Sequence, residues 1–522
     1  MPVTAKEILE SIPSRFRPEK AQGYSAIFHF DISGDEKLQY TVELNNGKCE
    51  LKEGLIGKPD CRIAAKSSVY IDLETGKANP QMTLMLGNVK ISNIAAMIQF
   101  SKCFRRFEVA KPVEQSEISI AERPVKKGPL SGVKIIDFTR LLPGPLATMF
   151  LADLGADVIK VEDPDRPDYV RDFEPRIGGE SMYYLSLNRS KRSLAVNYMS
   201  PEGKKVIHDL VKKADVLIEQ FRPGVMAKLG FGYEELSKIN PKLIYVAITG
   251  YGQDSFMAGA AGHDLNYIAI AGALGITGLE NEGPVIPGFQ LADIAGGSYM
   301  AMNAVMAALY QLEKTHKGEF VDVAMTDAVL PFAAMQFAYN QGLKKEPGRG
   351  KYELAGGIAN YNVYECNDGK YVALGSLEPK FWHNFCTKIN KPDWADGFLK
   401  KGEELQKLKS EVKQFFLGKS RAEWLEFFKE EDICLTAVNE LSELENDKYL
   451  KERNMFVENE HPAVGKYKTI NQPLKFKETK FDNNWNAPGL GDDTESVLKE
   501  IGYADNDLSD LRKRGLIKIK GN

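Results

Sequence analysis

The sequence predicts an α/β protein with an amino-terminal α+β domain, then a doubly wound parallel-sheet large domain and a smaller α+β domain. Three observations carry that expectation. Residues 1–112 alternate apolar and polar positions up to an Asn46-Gly47 pair, which is hairpin grammar. From residue 129 to 345, short buried strands alternate with amphipathic helices, which is the grammar of a parallel sheet. Beyond residue 345, hairpin spacing returns around Asn367-Asp368-Gly369.

In the first segment, "YSAIFHFDIS" alternates through Ala26, Phe28, Phe30 and Ile32, and "LQYTVELNNGKCEL" alternates through Leu38, Tyr40, Val42 and Leu44. Asn46-Gly47 suits a type I′ turn, where both central residues take positive φ. Strands are also expected in "CRIAA" and "MTLMLGNVKIS", and "NIAAMIQFSKCF" has the period of a closing helix. The polar, proline-bearing stretch at 113–128 is expected to be a linker.

The second segment opens with "GVKIIDFTR". Pro143-Gly144-Pro145 marks a helix start and Gly155 its end. Ser200-Pro201 marks another start, leading to a strand at Asp215–Glu219. The small domain is expected over 346–455, and 456–522 is expected to return to the large one.

Composition narrows the function. A net charge of −4 and 27% charged residues give no reason to expect nucleic acid as a partner. No apolar run is long enough to span a bilayer, and no targeting segment is expected from "MPVTAKEILESIPSRF" or "KIKGN". The six cysteines form no CxxC pair, so reduced thiols in a cytoplasmic protein are expected, with no metal site. No GxGxxG or GxxxxGK[ST] occurs where a nucleotide loop needs it. Arg189, Lys191 and Arg192, then Arg222 and Lys228, are the cations available to bind phosphate.

The first segment, with its "GNVKISN" and closing helix, resembles a sterol carrier protein type 2 domain, which implies a bound lipid or acyl chain. Residues 128–515 resemble the class III CoA-transferase and α-methylacyl-CoA racemase family. The motifs "DFTRLLPGPLATMFLADLGADVIKVEDP", "NRSKRSLAVN", "ADVLIEQFRPGVMAKLG" and "GEFVDVAMTDAVL" carry that likeness, in the family's order. It implies a CoA thioester substrate and an interlocked homodimer. It also implies a CoA site lined by Val196, Asn197, Tyr198 and Met199, by Gln220, Phe221 and Arg222, by Lys228, and by Gly262–Tyr267 with Asn266. Where racemases carry an arginine after the second strand, Arg166 stands with a shift.

By the same likeness Asp293 in "GFQLADIAGG" is the family's shared catalytic aspartate. His263 in "GHDLNY" matches the racemase branch, thirty residues earlier. Asp264 is the expected partner behind the histidine, and Glu378 in "GSLEPKFW" matches a carboxylate set against it. The chemistry suits these groups. Inverting the carbon beside a thioester requires a base on one face and an acid on the other. Histidine serves either role near neutrality, and a buried aspartate is raised toward it. The helix opening near Asp293 is expected to supply backbone N–H groups to an enolate oxygen, with Gly296 and Gly297 letting a ligand approach.

Three functions remain: a racemase or epimerase of 2-methyl-branched acyl-CoA thioesters, a CoA transferase with Asp293 as nucleophile, and a non-catalytic lipid carrier. The first needs no metal or redox cofactor, coenzyme A entering only as part of the substrate.

Overall fold

A computed structural model describes residues 3–75, 83, 87–105, 107, 126–479 and 485–520. Residues 113–125 of the expected linker lie outside the described residues, as do 82 and 84–86 of the expected "MTLMLGNVKIS" strand. The chain forms two compact units, 1–124 and 125–522.

In the first unit, β1 (Ser25–Ser33), β2 (Leu38–Asn45), β3 (Lys48–Glu53), β4 (Cys61–Lys66) and β5 (Val89–Ile91) form one sheet. Its order is β3-β2-β1-β4-β5, with β1 and β4 parallel and the other pairs antiparallel. Asn46 (φ 44°) and Gly47 (φ 85°) both take positive φ, as the β2–β3 turn requires. Phe28, Phe30, Val42, Leu44 and Ile63 point inward, where the Phe28 and Phe100 rings meet at 4.5 Å. Phe100 belongs to the helix Ile94–Lys102, whose first turn is capped by Asn93 accepting from Ala96 N–H.

In the second unit, β6 (Lys134–Asp137), β7 (Asp157–Glu162), β10 (Arg192–Val196), β11 (Val216–Glu219), β12 (Ile244–Thr249), β13 (Glu319–Ala324) and β19 (Ile517–Lys518) form the main sheet. A two-residue pair, β8 (Arg176–Ile177) and β9 (Glu180–Ser181), lies outside it. The order is β13-β12-β11-β6-β7-β10-β19, and only β19 is antiparallel to its neighbour. These strands are apolar on both faces because helices cover both sides. Pro143 and Pro201 open helices at Pro143–Asp153 and Pro201–Val211, and the Ser200 hydroxyl accepts from Gly203 N–H at 3.0 Å.

Chain order reverses between β6 and β11, so the loops after these two strands flank a crevice where ligands of such sheets bind. Beyond it, β14 (Tyr361–Glu365), β15 (Tyr371–Gly375) and β16 (Leu435–Ala437) form a three-stranded sheet. Their core holds Trp382, Phe385, Phe416 and Trp424. A hairpin, β17 (Phe456–His461) with β18 (Gly465–Ile470), precedes the return to the main sheet. Among the described residues no helix is long and apolar enough to cross a membrane.

Candidate active site

A cavity of about 290 Å³ opens at the carboxyl ends of β6, β11 and β12. His263, Asp293, Gly262, Tyr267, Gln220, Phe221 and Arg222 line it, together with Leu141, Pro143, Tyr169, Tyr251 and Met325. Residues separated by well over a hundred positions thus meet in the switch-point crevice.

The wall from β6 is held by buried side chains. Leu141 takes φ 62°, an uncommon conformation for leucine, and its N–H donates to the Asp168 carboxylate at 3.2 Å. Asp168 is itself fully buried against Lys160 Nζ at 2.9 Å. Gln220 closes the same turn from β11: its Nε2 donates to Arg140 O at 2.6 Å and its Oε1 accepts from Gly144 N–H at 3.0 Å.

His263 caps the helix Asp264–Ile270 in extended backbone. Its N–H donates to Asn266 Oδ1 at 3.0 Å, and Asn266 N–H returns to His263 O at 2.8 Å. That reciprocal turn fixes the histidine backbone and leaves its exposed ring at the cavity. Tyr267 is buried beside it, its hydroxyl donating to Gly262 O at 2.6 Å and its ring edge-on to Tyr251 at 5.1 Å. Burial, with the Asp293 carboxylate next, pushes the Tyr267 phenol up to about 12.

Asp293 stands in the first turn of a π-helix, Ala292–Tyr299. Burial, reinforced by the Asp264 carboxylate, pushes it up to about 7. An aspartate poised there can hold or release a proton near neutrality.

Several expectations change. Asp264 does not back the His263 ring; its Oδ1 accepts from Ala292 N–H at 2.6 Å and Asp293 N–H at 3.0 Å. Those two donors, with Ile294 N–H bonded to Gln290 O, are therefore filled and not open to an enolate oxygen. Gly296 and Gly297 serve packing instead of ligand approach. A Cβ on Gly296 would lie 2.7 Å from Met325 O, and one on Gly297 would lie 2.8 Å from Pro143 Cβ.

The cation cluster separates by burial. Arg189 is buried against Asp153, and its Nη1 also reaches Met149 Sδ at 3.2 Å. Lys191 is buried on Asp137 Oδ2 (3.0 Å), Asn188 Oδ1 (2.8 Å) and Pro145 O (3.0 Å). Arg192 pairs with Asp157 and Glu500, tying the helix Thr494–Glu500 to the sheet. None of these three is offered to a phosphate. By contrast Arg140, Arg166, Arg222 and Lys228 form no ion pair among the described residues. Arg140 donates to Tyr198 OH at 2.9 Å and lies 5.5 Å over the Phe221 ring. Val196 and Tyr198 are buried at the end of β10, Asn197 Oδ1 accepts from Met199 N–H, and Met199 is exposed. Arg140, Tyr169 and Tyr251 were missed, although "DFTR" after the first strand was the signal for Arg140 once strand order is known.

Glu378 does not line the cavity. It stands exposed ahead of the helix Pro379–Lys388, its backbone oxygen accepting from Phe381 and Trp382 N–H. A single chain does not bring it to His263.

Comparison with known proteins identifies the family of each unit. Residues 5–105 match the SCP-2 sterol transfer family and 130–494 match CoA-transferase family III. Human succinyl-CoA:glutarate CoA-transferase is 35% identical over 399 residues, 74% of this chain and 90% of that protein. Human alpha-methylacyl-CoA racemase is 32% identical over 391 residues, 74% of this chain and 97% of that protein. A CAIB/BAIF family protein from Brucella suis superposes with a TM-score of 0.63 at 28% identity, covering 72% of this chain and all of that one. The chain carries an SCP-2 domain at its amino end, and it belongs to CoA-transferase family III.

Proposed function

We propose that the protein is a racemase or epimerase that inverts the α-carbon of 2-methyl-branched acyl-CoA thioesters. The observation that carries this reading is the placement of His263 and Asp293 on one cavity, with Asp293 raised to about 7. One group removes the α-proton and the thioester becomes an enolate; the other returns a proton to the opposite face. The roles exchange for the reverse reaction. Proton transfer of this kind needs neither a metal nor a redox cofactor.

Arg222, Arg140 and Lys228 bind the phosphates of coenzyme A in this reading, since none of the three is tied to a carboxylate among the described residues. The amino-terminal unit holds the acyl chain or a lipid. Two copies interlock, and the second supplies Glu378 to His263. Exposed Leu279, Ile286, Phe289, Phe332, Met335 and Phe337 support that assembly, since a second copy would cover them.

A second reading has one specific support, the likeness to succinyl-CoA:glutarate CoA-transferase. Asp293 would then attack the thioester carbonyl, expelling the CoA thiolate and forming an acyl anhydride. Incubating one pure isomer of a 2-methylacyl-CoA in deuterated water separates the two. Deuterium at the α-carbon with inversion, and no acceptor acid required, is expected. CoA transfer that depends on a free carboxylic acid, without α-exchange, would replace racemase by transferase.

A further inference from the structure

Asp293 lies in a turn one residue wider than an α-helix, and such π-helical turns concentrate at functional sites. Three anchors hold the widened turn. At its start the Asp264 carboxylate accepts from Ala292 and Asp293 N–H. In its middle Gly296 and Gly297 fit between Met325 and Pro143, both of which line the cavity. At its end lies Ser298, fully buried, whose Oγ is 2.7 Å from Pro143 O and 3.2 Å from Asp293 O.

A serine hydroxyl carries a single proton, so one hydrogen is shared between these two carbonyls. One carbonyl belongs to Pro143, the first residue of the helix after β6, the other to Asp293 itself. We propose that Ser298 is a positioning residue that keeps the turn in π register and so aims the Asp293 carboxyl at the reacting carbon. Its effect is confined to one face of the substrate, because His263 is held by a separate turn through Asn266. Removing the hydroxyl leaves Pro143 O and Asp293 O without this donor, and relaxation toward α register would swing Asp293 away.

This inference rests on the racemase reading for its kinetic test, so a second readout independent of turnover is included. In Ser298→Ala, α-deuterium exchange should fall by roughly tenfold or more for the isomer whose proton Asp293 takes, with KM nearly unchanged. Exchange from the other isomer should stay near wild type. Gly297→Ala, which pushes the same turn off Pro143 while keeping the hydroxyl, should show the same one-sided loss. Should Ser298→Ala fail to fold, Ser298→Cys keeps a weaker donor and should give a smaller one-sided loss. Equal loss for both isomers, or none, would overturn the assignment.

The second readout is carbodiimide labelling of Asp293, followed by mass spectrometry across pH. Ser298→Ala should change its rate severalfold while labelling of the buried Asp137 and Asp168 stays at the wild-type level. An unchanged rate at Asp293 would sink the proposal even if the wild type showed no α-exchange, a result that would by itself remove only the racemase reading.

Discussion

Asp264 Oδ1 accepts the backbone N–H of Asp293 at 3.0 Å, so the residue after the candidate histidine holds the turn of the candidate aspartate. The link runs through the Asp264 side chain, while the His263 backbone is fixed separately by Asn266. The same carboxylate, after burial, helps raise the Asp293 carboxyl. Asp264→Asn keeps an acceptor oxygen but removes the charge, so the pH midpoint of exchange at the Asp293 face should fall below about 7. Asp264→Ala removes the acceptor from two helix-end donors and should also cost about 0.5–2 kcal/mol of stability. Midpoints from exchange kinetics and chemical denaturation check both outcomes.

His263→Ala and Asp293→Ala should each abolish racemisation, by about 10²–10⁴-fold. Each should retain α-exchange from the isomer whose proton the surviving base removes. Exchange of both isomers, followed separately by mass spectrometry, checks this. Full racemisation by His263→Ala would remove the histidine from the mechanism.

Stability should depend on pH through Asp293. Its folded value, about 7, lies above the ordinary 3.8. Between the two, the unfolded chain has lost a proton that the folded chain keeps, so this group lowers stability as pH rises. Asp293→Asn removes the effect. Its Tm advantage over wild type should be absent below about pH 4, grow up to about pH 7 and stay level above. A constant difference across that window would contradict the raised value.

The two sets of cations should part in their effects. Lys191→Met strips the partner from buried Asp137 and should destabilise by about 3–5 kcal/mol. Arg222→Ala should leave stability within about 0.5 kcal/mol. It should raise KM for acyl-CoA by about tenfold, the loss of one charge-assisted hydrogen bond. Denaturation midpoints and steady-state kinetics distinguish the sets.

Deleting residues 1–115 should leave short-chain turnover nearly intact and raise KM for long acyl chains, because the candidate catalytic residues all lie in the second unit, which has its own cores. Tethering raises the local concentration of a poorly soluble substrate. Loss of turnover on every substrate from a folded truncation would assign the first unit to the active site.

The sequence by itself determined what depends on neighbours along the chain. Asn46-Gly47 specified its turn because both residues tolerate positive φ, and Ser200-Pro201 specified a helix start because each fits its cap position. The alternation of buried strands and amphipathic helices specified a parallel sheet, and likeness to the family, through "GHDLNY" and "LADIAGG", singled out His263 and Asp293 as candidates. What composition and spacing could not show is which charges pair. Arg189, Lys191 and Arg192 read as phosphate ligands until strand order set Asp153, Asp137 and Glu500 against them, partners up to 308 residues away. A cation's role follows from its burial and from the carboxylate facing it, and both are properties of packing. The same holds for Asp264, turned from the histidine to the Asp293 turn by an approach of two helix starts, and for the glycines fitted between Pro143 and Met325. Only the tertiary structure decided these, because each depends on segments that meet where the order of the sheet reverses.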